Sequence, residues 1–475
     1  MNILPMYIGG DLVTTESVYD VVNPATLEVT GSITKANASD ANHALEAAEK
    51  AFATWSTTTI SERVQWMNKL RDAVIENEMA LREAIQLEMG KSWAGTQEDF
   101  ESLVNSLAFY AEEISRFRPD SLLDKEGTHS HELVHEPVGV VAAFLAWNFP
   151  LLNLAFKIGP AMASGCPIVI KPSLKSPMSA YLVGKLCHDI GLPAGVVNVV
   201  CGDDAEVGDA LSASTIPSML TLIGSIATGR HIMKTGSTSI KRYSMELGGN
   251  APVLVFADSD LDLAADIVCA VKFGNCGQIC VTPNRVFVQK SVASEFASKV
   301  VERAKAVKVG YGLQSDNEMG PLIDAQALKR VDELVQDAVI KGAALLYGGN
   351  KPDSIHTGHF YMPTVLTNLN SEMRMYQEEI FGPVVSIYEF ENEAEVLDHA
   401  NDTDAGLTAY VFTQDQAKAQ RCATQLRFGE IQINGVKYGI DLPHGGIKQS
   451  GIGCDCSHLA LHDYLAVKRI TRALD

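Results

Sequence analysis

The chain has 475 residues, 46% of them apolar, and 38 basic against 58 acidic side chains give a formal net charge of -20. That length and apolar content allow two or three domains with large cores, and the acidic balance argues against a nucleic-acid or anionic-membrane partner. The nine cysteines are irregularly spaced, which fits a reducing compartment, with the cytoplasm as the default, better than a disulfide framework.

The first basic residue is Lys35, and the longest apolar stretch, near 138–147, is too short to cross a bilayer, so neither a secretory signal nor a membrane span is expected. Residues 1–35 alternate short apolar runs with turn signals such as Gly9-Gly10-Asp11 and predict strands lying on another unit. Ser39 then suits the cap of a helix whose Ala41, Ala44, Leu45, Ala48, Phe52 and Trp55 recur at helical spacing. Further helical patterns fill 61–89 and 96–117, with Trp66, Leu70, Val74 and Ile75 as a core stripe. Pro119 ends them, and a polar stretch over 120–131 follows.

From residue 138 apolar runs alternate with helical segments. Strands are expected at 138–144, 168–171, 196–200, 219–223 and 241–246, with helices near 151–164, 178–190, 204–212 and 226–236. This is the pattern of a parallel α/β sheet covered on both faces, whose ligands sit beyond the carboxyl ends of the strands. Four loops lie there: Ala146-Trp-Asn-Phe-Pro150, Lys171-Pro-Ser173, Gly224–Gly229 and Glu246-Leu-Gly-Gly249. Lys171 at a strand end could reach ribose or phosphate. The glycine junction at Gly224 reads equally as a phosphate site at a helix start or as a plain tight turn.

After Ala251 a second α/β pattern begins, with strands at 252–256, 285–289, 344–348 and 384–389 and helices at 260–271, 291–306 and 325–341. Within it stands Phe273-Gly-Asn-Cys-Gly-Gln-Ile-Cys280. A cysteine closing such a turn can attack a carbonyl carbon while adjoining N–H groups bind the oxyanion, and Gly274 and Gly277 would keep the approach clear. Taken alone, a cysteine beside a turn is more often simply buried. Cys276 with Cys280, and Cys454-x-Cys456-x-His458, lack a second pair at structural-zinc spacing, so no metal site is expected. Tyr464-Leu-Ala-Val467 in the tail suggests an edge strand.

Loops and cysteine turn together resemble the aldehyde dehydrogenase superfamily over essentially the whole chain. The matching pieces are Trp147-Asn148-Phe149-Pro150, Lys171-Pro172-Ser173, Gly224-Ser225 with Gly229, Glu246-Leu247-Gly248-Gly249-Asn250, Gly277-Gln278-Ile279-Cys280, Glu379-Ile380-Phe381-Gly382-Pro383 and Gly445-Gly446-Ile447-Lys448-Gln449-Ser450-Gly451. The resemblance implies a Rossmann-like parallel-sheet cofactor domain at 1–118 and 138–248, a second α/β catalytic domain at 249–449, and a small β oligomerisation flap at 119–137 with a tail at 450–475. It implies oxidation of an aldehyde by NAD or NADP in a homodimer or homotetramer. Cys280 would form the thiohemiacetal and then the thioester, Asn148 would serve the oxyanion, and Glu246 would activate water and could serve the thiol beforehand. Lys171 and Glu379 would hold the riboses, and Trp147, Ser173, Leu174, Gly224, Ser225, Leu247 and Phe381 would line the cofactor.

Several positions depart from the pattern. Leu174 stands where NAD-dependent members often carry a glutamate, and Lys175 follows, which tilts the expectation toward NADP. Phe156 occupies the place of an arginine common in succinate-semialdehyde enzymes, so Phe149 and Phe156 could instead wall the aldehyde chain. His444 replaces the usual phenylalanine and could either admit a polar or anionic substrate or simply pack beneath its loop. A lactaldehyde- or succinate-semialdehyde-like branch fits. A coenzyme A-acylating enzyme is the alternative, which Glu246 disfavours; a cofactor-free cysteine hydrolase or a non-catalytic scaffold would leave the loops or the trio Asn148, Glu246 and Cys280 without use.

Overall fold

The structure, a computed structural model, describes residues 3–474. An eight-stranded sheet runs in the order Gly451–Ile452, Arg242–Leu247, Pro217–Gly224, Val140–Phe144, Ile168–Lys171, Val197–Val199, Met6–Ile8, Asp11–Val13. Its five central strands are parallel. The apolar runs that mark them are fully buried, as expected for strands covered by helices on both faces. Chain order reverses between Val140–Phe144 and Pro217–Gly224, and the crevice beyond the carboxyl ends of those strands is where such sheets take a ligand.

A seven-stranded sheet follows in the order Ala344–Tyr347, Thr364–Thr367, Val384–Phe390, Pro283–Gln289, Ala251–Val255, Thr408–Phe412, Glu430–Ile433, parallel except at Ala344–Tyr347. A third sheet pairs Leu465–Ala473 with His129–Pro137 along nine residues and adds Asp120–Leu123. Its edge side chains Leu122, Leu123 and Val467 are exposed. A small sheet of Ile3–Leu4, Val29–Thr34 and Val18–Val22 lies near the start of the chain.

Four expectations need correction. The first helix, Ala38–Trp55, is capped by Asn37 and not Ser39: the Asn37 side chain accepts from the Ser39 and Asp40 N–H groups while Asp40 accepts from the Asn37 N–H. The pattern over 61–89 is two helices, Ile60–Glu76 and Glu78–Met89, broken at Asn77. Ile75 is exposed and Trp66 half-buried, so the core stripe there narrows to Met67, Leu70 and Val74. Thr364–Thr367, Thr408–Phe412 and Glu430–Ile433 are strands that the chain's pattern did not announce.

One buried ion pair fastens the tail. Lys157, in the helix Pro150–Ser164, places its Nζ 2.7 Å from both carboxylate oxygens of Asp455, and neither side chain reaches solvent appreciably. Breaking such a pair strands a buried charge, at about 3–5 kcal/mol. We expect Asp455→Ala to lower stability by about that amount, read as a drop in denaturant midpoint with little change in slope.

Candidate functional site

The site is built where the loop after Arg242–Leu247 meets the cysteine turn. Asn275, Cys276 and Gly277 all take positive φ, forming a left-handed turn after the helix Leu261–Phe273. At Gly277 a Cβ would fall 2.2 Å from the Gly382 carbonyl oxygen, so only glycine fits there. Gly274 has ordinary φ, and a Cβ there would meet only Ile279 at 3.9 Å, so the backbone itself does not demand glycine at that position. A Cβ on Gly249 would stand 2.5 Å from the Cys280 carbonyl oxygen, and one on Gly248 would stand 2.7 Å from Glu379 Oε2. Gly249 thus lets the Glu246 loop lie directly on the cysteine backbone, and Gly248 lets it lie against Glu379. Ser450 secures that loop, donating to the Gly248 carbonyl at 2.8 Å.

This contact gathers three reactive side chains. Sγ of Cys280, a carboxylate oxygen of Glu246 and a ring nitrogen of His444 all lie within 4.8 Å of one another. Among the described residues these three alone form a cluster with metal-ligating potential, and neither Cys276 nor the Cys454–His458 stretch belongs to it. His444 Nε2 is 3.5 Å from Glu246 Oε1, and Nδ1 is 2.7 Å from Glu430 Oε1. Glu246 is buried and its Oε1 has no hydrogen-bond partner, so an acceptor points into the site unsaturated. Burial, then the Glu246 charge, push the Cys280 thiol well up, while His444 pulls it back down. Burial disfavours a charged His444, but the hydrogen bond to Glu430 and the approach of Cys280 and Glu246 to its other nitrogen outweigh that and raise it well above the usual histidine range.

Asn148 sits in the loop between Val140–Phe144 and the helix that Pro150 opens. Its amide donates to the Gln278 carbonyl at 3.0 Å, which ties it to the cysteine turn and leaves a second N–H free. The ring edge of Phe156 meets His444 with centroids 5.7 Å apart. Phe149 is buried with the Lys91 ammonium 3.5 Å from its ring centre, and Lys91 is held by buried Asp99.

The expected cofactor residues line the strand ends. Lys171 is buried, 2.5 Å from Asp204. Ser173 Oγ accepts from the Lys175 N–H, Leu174 packs half-buried on the core, and Lys175 reaches Asp324 at 2.6 Å above the Trp147 ring. Ser225, after Gly224, caps the helix Ile226–Thr235. A Cβ on Gly229 would press to 2.8 Å from Leu247, so this helix can approach the strand end closely. Phe381, with positive φ, sets its ring edge-on to Trp147 at 5.6 Å. Glu379 accepts from the Gly249 N–H at 3.1 Å, and burial raises it to about 7. A buried cation, a helix start whose cap occupies only the Thr228 N–H, and a close approach of helix to strand at Gly229 fit a phosphate-bearing dinucleotide.

Residues 12–470 match the aldehyde dehydrogenase family. A glutarate-semialdehyde dehydrogenase of Pseudomonas putida is 37% identical over 97% of this chain and 96% of its own length. The chain belongs to the aldehyde dehydrogenase family. A solved Escherichia coli NADP-dependent enzyme superposes with a TM-score of 0.97 at 35% identity, covering 99% and 98% of the two chains. The Staphylococcus aureus betaine aldehyde dehydrogenase bound to NAD+ gives 0.96 at 34% identity, covering 99% and 95%. The chain is therefore an NAD(P)-dependent oxidoreductase that oxidises an aldehyde to a carboxylic acid, and these likenesses do not support the coenzyme A-acylating alternative.

Sequence reasoning missed Glu430, the partner of His444, Asp204, the partner of Lys171, and Asn153, whose amide lies 3.4 Å from Asn148. Each is an ordinary polar residue with no local motif, so only the fold could pair them. Gly249→Ala should separate the loop from Cys280 and cut turnover at least tenfold with cofactor affinity changed less, measured by steady-state kinetics and fluorescence titration.

Proposed function

We propose that Cys280 is the nucleophile of this aldehyde dehydrogenase, that Asn148 and the Cys280 N–H receive the oxyanion, and that Glu246 activates the hydrolytic water. The observation that carries this is the meeting of Cys280 Sγ and the Glu246 carboxylate within 4.8 Å, beside a loop that abuts the Cys280 backbone. Cys280 adds to the aldehyde carbon, and the free N–H of Asn148 stabilises the negative oxygen. A nicotinamide cofactor, when bound, would supply the acceptor for the hydride that leaves this carbon. Glu246 then takes a proton from water, the hydroxide adds to the thioester carbonyl, and the carbon–sulfur bond breaks to release acid and thiolate. Lys171 and Glu379 would bind the ribose hydroxyls, with Trp147, Ser173, Leu174, Gly224, Ser225, Leu247 and Phe381 around them.

Phe156 and His444 form the substrate wall in this reading, with Phe149 behind the Asn148 loop. The buried cations near it are already paired: Lys157 with Asp455, Lys91 with Asp99, and His444 with Glu430. A substrate carboxylate would meet no free positive group among these, which favours a neutral aldehyde over a semialdehyde acid. The sheets support a division into a cofactor domain (1–118 and 138–248), a catalytic domain (249–449) and a flap with tail (119–137 and 450–475), except that Gly451–Ile452 of the tail joins the eight-stranded sheet. Exposed edges on Asp120–Leu123 and Leu465–Ala473 suit pairing between subunits of a dimer or tetramer. All nine cysteines are free, which agrees with a cytoplasmic setting, and no helix among the described residues is long and apolar enough to cross a membrane.

Two measurements test these assignments. Cys280→Ala should abolish turnover with cofactor binding retained, and Glu246→Gln should keep a burst of reduced cofactor while steady turnover falls roughly a hundredfold, the low end of a general base's contribution; retained turnover in the first, or wild-type steady state in the second, refutes the role. NADP preference rests on Lys175, which a 2′-phosphate would draw from Asp324. Lys175→Ala should weaken NADP about tenfold, or 1.4 kcal/mol, and leave NAD nearly unchanged, as read by binding titration with each cofactor. An aldehyde panel should rank neutral substrates above succinate semialdehyde.

A further inference from the structure

His444 has work for both ring nitrogens. Nδ1 lies 2.7 Å from Glu430 Oε1, while Nε2 faces Cys280 and Glu246, 3.5 Å from the latter's Oε1. Its backbone is fixed by reciprocal bonds with Asp455, from the His444 N–H at 2.8 Å and back at 2.7 Å. Asp455 is in turn held by Lys157. The ring therefore has little freedom to swing away from the sulfur.

The charges around that sulfur form a problem that only His444 solves. Two carboxylates already lie close to the point where a thiolate must form: Glu246, buried within 4.8 Å of the sulfur, and the half-buried Glu430 on the far nitrogen of the His444 ring. A thiolate would be a third negative charge in a poorly solvated place, and like charges at such range resist ionisation. Lys157, the other cation packed near His444, is neutralised by Asp455. The remaining groups around the ring are the Tyr438 and Phe156 rings, with Cys454 and Cys456 on the tail segment. None of them supplies a positive charge.

We propose that His444, held protonated by Glu430, is a further catalytic residue that donates from Nε2 to the Cys280 sulfur and supplies the positive charge its thiolate requires. This rests on the reading of Cys280 as nucleophile. The thiol proton leaves Sγ for the unpartnered Glu246 Oε1 and passes from there to solvent, so that Glu246 is a free carboxylate again when water must be activated. The imidazolium keeps its own proton throughout. When the carbon–sulfur bond breaks at the end of turnover, the departing thiolate returns to the same donor. The hydrogen bonds that raise His444 well above its ordinary range, and the pull His444 exerts on the Cys280 thiol, have the signs this arrangement needs. Cys280 and His444 then titrate as a pair.

The test is the pH dependence of Cys280 alkylation by iodoacetamide in the full-length protein, with Cys280→Ala as the blank for the other cysteines. His444→Phe should move the inflection up by at least one pH unit and slow alkylation at pH 8 about tenfold or more. His444→Gln, which keeps a donor but no charge, should fall between. In protein with labelled histidine, the His444 nitrogen resonances should report a charged ring at pH 7.5. A neutral ring, or an unshifted inflection in the folded variants, overturns the proposal; if His444→Phe does not fold, the glutamine variant and the resonances decide. Dehydrogenase activity surviving in Cys280→Ala would instead defeat the nucleophile assignment, a separate outcome.

Discussion

The site depends on one approach of backbone to backbone, that of Gly249 to the Cys280 carbonyl oxygen. A single Cβ there would meet oxygen at 2.5 Å, well inside van der Waals contact. Because the loop follows a strand of the eight-stranded sheet and the cysteine precedes one of the seven-stranded sheet, this contact sets the relative placement of Glu246 and Cys280. Glu246 is paired in register with Gly451 and precedes Leu247, itself opposite Gly224. The Glu246 carboxylate and the crevice at the strand ends are thus positioned by one strand, so neither can shift without the other.

Around that contact the chain buries a number of charges that would be ruinous if left single. Lys91 with Asp99 and Lys157 with Asp455 are matched one to one, and His444 lies between Glu430 and Glu246. Lys272 is the exception. Buried with no partner on its Nζ, it is pushed by desolvation down to about 7, with only the Glu379 charge acting against that shift. Pairs of this kind add little net stability against apolar packing, but each punishes the loss of one member, and so holds its loop in a single arrangement.

Much of this was legible in the chain. The parallel strands of the first sheet announced themselves because burial on both faces turns them into continuous apolar runs, and the turn before Cys280 did so through its glycines. Thr364–Thr367 and Glu430–Ile433 are short and carry threonine, glutamate and glutamine, so their pattern did not separate them from loop. Ile75 looked like core because periodicity gives a stripe without its width. Asn37 and Ser39 are both good capping residues two positions apart, and the box with Asp40 makes Asn37 the cap. The pairing of His444 with Glu430 spans fourteen residues and two elements, and no local rule reaches that far.

The tail joins two things that enzymes often keep apart. Gly451–Ile452 adds a strand beside Glu246, Asp455 clasps the backbone of His444, and eight residues after Ser457 the same stretch enters the long outer ribbon Leu465–Ala473. The ribbon's solvent-facing edge and the acid–imidazole centre are therefore successive parts of one short length of polypeptide. Trimming the carboxyl terminus by protease, or prying the ribbon from its neighbour strand, would be transmitted to the chemistry along the main chain itself.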